Sequence, residues 1–241
     1  MIKGLLIDLG NTIVYNRDFD FNKGLKRIYD LAINPQVSYE DFIKFNEQLK
    51  PITYDNREDL EISFCHYLRY IITYFQFELT MNLEELEMEF VQACERLELI
   101  DGVKELLSFC QKKNLRVVVL SNSTFSKQAL LAQIKQFDIS KYFYEILSSS
   151  DYLFRKPNVN FFKLGLKTLN LNEDEVLYVG NDYYFDVEGA SIANINTCWF
   201  NELGLTNNKN IDCIEVNNYL ELIKYLEENY QKIKKRKEIY V

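Results

Sequence analysis

Four short segments of this chain place carboxylates, hydroxyls, amides and a lysine where apolar runs end. Groups of these types can hold an anion, a metal ion or both. The first is Ile2-Lys3-Gly4-Leu5-Leu6-Ile7-Asp8-Leu9-Gly10-Asn11-Thr12, an apolar run of strand length that ends in a carboxylate and a turn. A buried parallel strand reads this way, and the ligand crevice of an open α/β sheet lies outside the carboxyl ends of its strands, where Asp8 is expected. The second, Leu115-Arg116-Val117-Val118-Val119-Leu120, terminates in Ser121-Asn122-Ser123-Thr124 at the start of a helix. Hydroxyls and free amides there either bind an anion or cap the helix. The third is Phe154-Arg155-Lys156-Pro157-Asn158. Proline suits the first turn of a helix, so Lys156 is expected immediately before it, either as a cation in the same crevice or as a solvated surface charge. The fourth, Glu175-Val176-Leu177-Tyr178-Val179-Gly180, ends in Asn181-Asp182-Tyr183-Tyr184-Phe185-Asp186. Two carboxylates and an amide in one loop are oxygen ligands of the kind Mg²⁺ accepts, and without a cation they repel; a solvated acidic turn is the other reading.

The elements that must position these groups alternate between strand and helix. From Asp101 onward the pattern gives a helix from Val103 to Lys113, the Val-rich strand, a helix with Leu130, Ile134 and Phe137 inward, and a short strand at Phe143–Leu147. A helix with Phe162, Leu166 and Leu169 follows, then the strand before Asn181, a helix from Val187 to Ala193, a fifth strand at Ile195–Phe200, and a final helix near Asn218 to Lys237. Between Tyr15 and Ile100 the periodicity is helical instead. Leu25, Ile28, Tyr29 and Ala32 form one apolar face, Phe42, Phe45 and Leu49 a second, Phe64, Tyr67, Leu68, Ile71 and Phe75 a third, and Leu86, Phe90, Ala93 and Leu97 a fourth. Lys50 to Asn56 is expected as a loop between helices. The organisation is an α/β core made of 1–14 and 101–241, interrupted by a helical domain over 15–100.

Composition narrows the function classes. With 28 Lys+Arg against 36 Asp+Glu, the net charge is −8, which argues against nucleic acid as a partner because phosphate neutralisation needs a basic surface. No leader pattern opens the chain and no apolar run approaches the length needed to span a bilayer, so the expectation is a cytoplasmic protein without a membrane partner. Five cysteines, Cys65, Cys94, Cys110, Cys198 and Cys213, without C-x-x-C spacing read as reduced core residues. The only histidine, His66, lies on a helix with no triad partners, which leaves little basis for histidine chemistry.

The four segments, in this order, resemble the four motifs of the haloacid dehalogenase-like hydrolase superfamily, and the helical insertion is similar to that family's α-helical cap of the first type. The resemblance implies a Rossmann-like parallel sheet core flanked by helices, with an inserted cap. It implies that Asp8 attacks the phosphorus of a small phosphorylated metabolite and forms an aspartyl-phosphate. The Ser121 hydroxyl and the Asn122 backbone are then expected to hold phosphoryl oxygens, and Lys156 to neutralise charge between Asp8 and the phosphate. Mg²⁺ is expected on Asp8, the carbonyl of Gly10, and Asp182 with Asn181 or Asp186. The expected assembly is a monomer or a homodimer.

Two positions depart from the family. Most of its phosphatases carry, two residues after the nucleophile, an aspartate that protonates the leaving group; here that residue is Gly10. General acid–base help contributes about 10² to 10⁴ in rate. Its absence implies a substrate with a good leaving group, a substitute carboxylate such as Asp18 or Asp20, or binding without turnover. Asn181 stands where an aspartate is common. The competing readings are a 2-haloacid dehalogenase, which needs a cap cation such as Arg17, Arg27, Arg57 or Arg69, and a phosphonate hydrolase with a Schiff-base lysine among Lys23, Lys26, Lys44 and Lys50. A non-catalytic phosphate-binding module is the third.

Overall fold

The structure, a computed structural model, describes residues 1–54, 59–207, 209 and 211–239. In chain order it forms β1 (Gly4–Ile7), β2 (Val14–Phe19), α1 (Phe21–Leu31), α2 (Tyr39–Tyr54), α3 (Phe64–Phe75), α4 (Leu83–Cys94), β3 (Glu95–Leu99), α5 (Val103–Lys112) and β4 (Arg116–Ser121). There follow α6 (Lys127–Lys135), β5 (Glu145–Ser148), α7 (Ser149–Tyr152), α8 (Val159–Leu169), β6 (Val176–Gly180), α9 (Gly189–Ile192), β7 (Asn196–Phe200), β8 (Ile214–Val216) and α10 (Tyr219–Ile239).

Six strands make one parallel sheet in the order β5-β4-β1-β6-β7-β8. Burial on both faces explains why β1, β4 and β6 read as unbroken apolar runs. Successive side chains point to opposite faces. Leu5 and Ile7 join Val117, Val119, Leu177 and Val179 on one side, under α5, α6 and α10. Leu6, Val118, Leu120 and Tyr178 face the other, where Phe161, Phe162 and Leu166 of α8 pack. The chain leaves β1 toward β4 but leaves β6 toward β7, so the loops after the two central neighbours diverge and open a crevice at the carboxyl edge.

Helices α1 to α4 share an aromatic core with the first of these faces. The Phe64 ring lies 4.4 Å from Phe90 and 5.2 Å from Phe125, a residue of the loop after β4. The Phe64 amide donates to the Thr124 carbonyl at 2.8 Å, and the buried Glu87 carboxylate accepts from the Ser126 amide at 3.1 Å. These bonds tie the helical segment to the loop that carries Ser121 and Asn122.

Three elements differ from the sequence reading. The helical segment is entered and left through an antiparallel ribbon of β2 and β3, with Val14 opposite Leu99 and Phe19 opposite Glu95. Leu97 continues the 3.6-residue spacing of α4, but pairing with Asn16 draws it into a strand, a tertiary preference that overrides local propensity. Helix α2 runs on through Tyr54, so Lys50 to Tyr54, expected in a loop, are helical; Asp55 and Asn56 lie outside the described residues. The edge strand β8 was not anticipated, since three residues carry too little periodicity to read. All five cysteines are free thiols, but only Cys94, Cys110 and Cys198 are buried in the core, Cys65 and Cys213 being half-buried; among the described residues no helix is long and apolar enough to cross a membrane.

Candidate active site

The carboxyl ends of β1, β4 and β6 deliver Asp8, Ser121 and Asn181 to one cavity of about 420 Å³. Gly10, Asn122, Lys156, Asp182 and Asp186 line it too, so every residue singled out in the four segments is brought together. Lys156 sits at its base, only 2 % exposed. Its ammonium donates to Asp8 Oδ1 at 2.6 Å, to Asp186 Oδ1 at 2.6 Å and to the Tyr178 hydroxyl at 2.9 Å, which uses all three of its protons. The Tyr178 hydroxyl in turn donates to Asp186 Oδ1 at 2.6 Å.

The sequence places Lys156 before a helix, but Pro157 is not in the first turn of α8. The Lys156-Pro157 peptide is cis, and the helix starts after the Asn158 cap. The Lys156 backbone is held by Asn122, whose side-chain oxygen accepts from the Lys156 amide at 2.7 Å while its side-chain nitrogen donates to the Lys156 carbonyl at 2.9 Å. The Asn122 side chain thus joins the second and third segments, leaving its backbone at the cavity.

After β6 the two aspartates part ways. Asp182 caps the wide helical turn Tyr183–Glu188, its Oδ1 accepting from the Phe185 amide at 2.8 Å. Asp186 turns back inward: its Oδ2 accepts from the Asp182 amide at 2.9 Å, and its Oδ1 lies on Lys156 and Tyr178. Gly180 makes this possible, because a Cβ there would fall 2.3 Å from Asp186 Cγ. Thr12 completes the floor, its hydroxyl 3.2 Å from Asp8 Oδ2 and 3.1 Å from Asn181 Oδ1.

Burial pushes the Asp8 carboxyl up to about 6; Lys156 pulls it down and Asp186 adds to the rise. Burial alone would push the Lys156 ammonium down, but Asp186 and Asp8 outweigh it and hold its pKa above the ordinary lysine value. The Tyr178 phenol is raised well above its usual value by burial and by the neighbouring carboxylates, which keeps it a protonated donor.

Several residues that line the cavity or lie behind it carried no signal strong enough to read. Tyr178 is a phenol inside an aliphatic strand, and a buried phenol needs a partner; that was the available clue. Glu61 and Arg155 face each other at 3.3 Å on one rim, and Glu95 and Gln133 meet on another. Asp18 and Asp20, considered as substitute acids, do not line the cavity: Asp18 pairs with Lys23 at 3.3 Å and Asp20 caps α1. Phe21 packs inside the helical segment, 5.1 Å from Phe90, whereas Phe125 faces the cavity.

Comparison with known proteins places these features in a family. The sequence model described as haloacid dehalogenase-like hydrolase matches residues 39–200, more than half of the chain. The chain is 27% identical over 101 residues to a glyceraldehyde 3-phosphate phosphatase of Pyrococcus abyssi, a match that covers 42% of each protein, so it spans less than half of that relative. Among solved structures, a HAD phosphatase from Thermococcus onnurineus superposes with a TM-score of 0.63 at 18% identity, over 93% of this chain and 98% of the other. A 2-haloacid dehalogenase from Pseudomonas syringae pv. Tomato DC3000 gives 0.63 at 16% identity, over 95% and 99%. The fold is therefore common to both, and fold alone does not separate their reactions.

Proposed function

Because the chain belongs to the haloacid dehalogenase-like hydrolases, we propose that it is a Mg²⁺-dependent phosphomonoester hydrolase acting on a small phosphorylated metabolite through a phosphorylated Asp8. The observation that carries this reading is the charge of the cavity. Among the described residues, five carboxylates line it (Asp8, Glu61, Glu95, Asp182 and Asp186) against two cations, Arg155 and Lys156. With that excess of negative charge, a phosphate dianion needs a further cation in order to bind.

The donors suit a hard divalent ion. Asp8, the Gly10 carbonyl, Asn181 and Asp182 are all oxygen donors on one cavity, and Mg²⁺ is commonly held by one or two carboxylates with water and substrate phosphate completing its shell. Asp186 positions the lysine through Oδ1, and its Oδ2, which accepts from the Asp182 amide alone, keeps a lone pair for the ion. When bound, the ion would offset the charge of the phosphoryl oxygens and of Asp8 as they approach each other.

The chain's own residues do the rest. Lys156 fixes the side chain of Asp8 and stays beside the phosphoryl group, where Ser121 and the Asn122 backbone offer hydrogen bonds. A carboxylate oxygen of Asp8 forms a bond to phosphorus as the ester P–O bond breaks. Water then attacks the acyl phosphate, releasing inorganic phosphate and restoring the carboxylate. Gly10 supplies no proton to the departing oxygen, so esters whose leaving group departs as a stable anion are turned over fastest. The inserted segment serves as the cap, reaching the cavity through Asn16, Glu95 and Leu97 of the ribbon and through Glu61.

Among the described residues, none of the cap arginines named for the dehalogenase reading lines the cavity. Arg17 pairs with Glu98 at 2.7 Å and Arg27 with Glu89 at 2.8 Å, and neither lines the cavity, nor does Arg69; Arg57 lies outside the described residues. Lys23 and Lys26 pair with Asp18 and Asp30, away from the cavity, which removes two of the Schiff-base candidates.

The deciding experiment follows p-nitrophenyl phosphate with Mg²⁺ or with chelator, in wild type and Asp8→Asn. Metal-dependent turnover that drops about 10³-fold or more in the variant is expected. Turnover that survives in Asp8→Asn would rule out the covalent route.

A further inference from the structure

The cavity has two walls of different origin. One is the carboxyl edge of the sheet. The other is built from the ribbon and from α6, where Asn16, Glu95 and Leu97 meet Gln133. Leu97 stands opposite Asn16 and Glu95 opposite Phe19, so Glu95 and Leu97, two residues apart on β3, point to the same face. The Glu95 carboxylate accepts a hydrogen bond from the Gln133 side-chain amide, and among the described residues no lysine or arginine pairs with it. Burial, unopposed by a cation, pushes its carboxyl up to about 7. Both cations of the cavity face carboxylates, Lys156 on Asp8 and Asp186 and Arg155 beside Glu61.

A cavity of about 420 Å³ holds a phosphoryl group together with a small organic part. With the phosphoryl group at Asp8, the organic part points toward the remaining lining, which includes the ribbon and α6. We propose that Glu95 and Gln133 select that organic part: the site accepts phosphomonoesters whose remainder is uncharged or cationic and able to hydrogen-bond, and rejects those with a second phosphate or a carboxylate. This rests on the phosphatase reading of Asp8. A like charge a few ångströms from Glu95 at a partly solvated wall weakens binding by about tenfold. Hydroxyl, carbonyl and amine groups find an acceptor in Glu95 and a donor in Gln133 instead.

The test compares two ligands on one skeleton, glyceraldehyde 3-phosphate and 3-phosphoglycerate, which differ by an aldehyde against a carboxylate. Calorimetric titration of the full-length Asp8→Asn protein at pH 8 with Mg²⁺ reads binding without turnover. The aldehyde is expected to bind about tenfold more tightly. Adding Glu95→Gln, which keeps the shape and removes the charge, is expected to narrow the ratio about threefold or more, through tighter binding of the carboxylate. Gln133→Lys sets a cation beside Glu95 and is expected to narrow it as well, which covers the case in which Glu95→Gln fails to fold. Equal affinities, no binding of either compound, or a ratio unmoved in both variants overturns the proposal. Because the readout is binding, an inactive wild type with the preference intact would count against the phosphatase reading alone.

Discussion

The two walls of the cavity treat buried charge in opposite ways. At the sheet edge a single ammonium is shared by Asp8, Asp186 and Tyr178, and each of its protons has a partner. At the ribbon wall the Glu95 carboxylate has, among the described residues, only the Gln133 amide. A network in which a shared cation partners each carboxylate holds those groups in place. A carboxylate left without a counter-charge instead makes its surroundings unequal for different visitors. Position and selection are thus built from the same residue type, by supplying or withholding a cation.

Removing the shared cation is the most severe challenge to this contrast. Lys156→Met leaves two buried carboxylates facing each other, and breaking a buried pair costs about 3–5 kcal/mol. Hydrolysis of p-nitrophenyl phosphate should fall about 10³-fold or more. Urea unfolding should show a lower midpoint at pH 8, partly restored toward pH 5 as the carboxylates take up protons. Normal stability at pH 8 would mean that Lys156 does not carry the balance assigned to it.

Gly10→Asp tests whether the sheet edge lacks only an acid. A Cβ at Gly10 meets nothing within 4 Å, so the side chain has room. Turnover of alkyl phosphates should rise about 10- to 100-fold while p-nitrophenyl phosphate changes little, because aryl oxide leaves without a proton. A uniform fall in both would place the defect elsewhere. Tyr178→Phe should act more gently. Losing the hydroxyl leaves one lysine proton and one carboxylate lone pair unmatched, which costs about 1–3 kcal/mol of stability. It should lower kcat about tenfold with KM nearly unchanged, since Lys156 would still be present but less firmly aimed.

At the other wall the expected effect is smallest and its sign depends on pH. The folded-state pKa of Glu95 lies near 7, above the ordinary glutamate value of 4.5, because burial favours the neutral acid. Folding then binds a proton between those values, so this group's contribution to stability is present below about 4.5 and is lost as pH rises through 7. Glu95→Gln removes that loss. Its melting temperature should match wild type near pH 4.5 and exceed it by a growing margin up to pH 8; a margin independent of pH would mean that the carboxyl is not the cause.

The sheet was legible because two-sided burial writes an unbroken apolar run, and Asp8 was legible because a carboxylate ending such a run is costly unless it is used. Lys156 could be flagged but not placed: its proline suggested a helix start, whereas Asn122 is what holds its backbone. The ribbon escaped because Glu95 to Leu99 follows a strong helix in sequence, and its strand character exists only in the company of Val14 to Phe19. Glu95 and Gln133 could not be paired in advance for the same reason. Their meeting depends on how α6 packs beside the ribbon, and no local spacing records that.

The ion pair between Lys156 and Asp8 joins positions 148 residues apart, and Asp186 lies another 30 residues on. During synthesis, Asp8 emerges long before any counter-charge for it exists. Sealing β1 into the middle of the sheet at that stage would bury a bare carboxylate, a cost that the later pairing with Lys156 offsets. The pairing thus ties the first strand of the sheet to segments made much later in the chain.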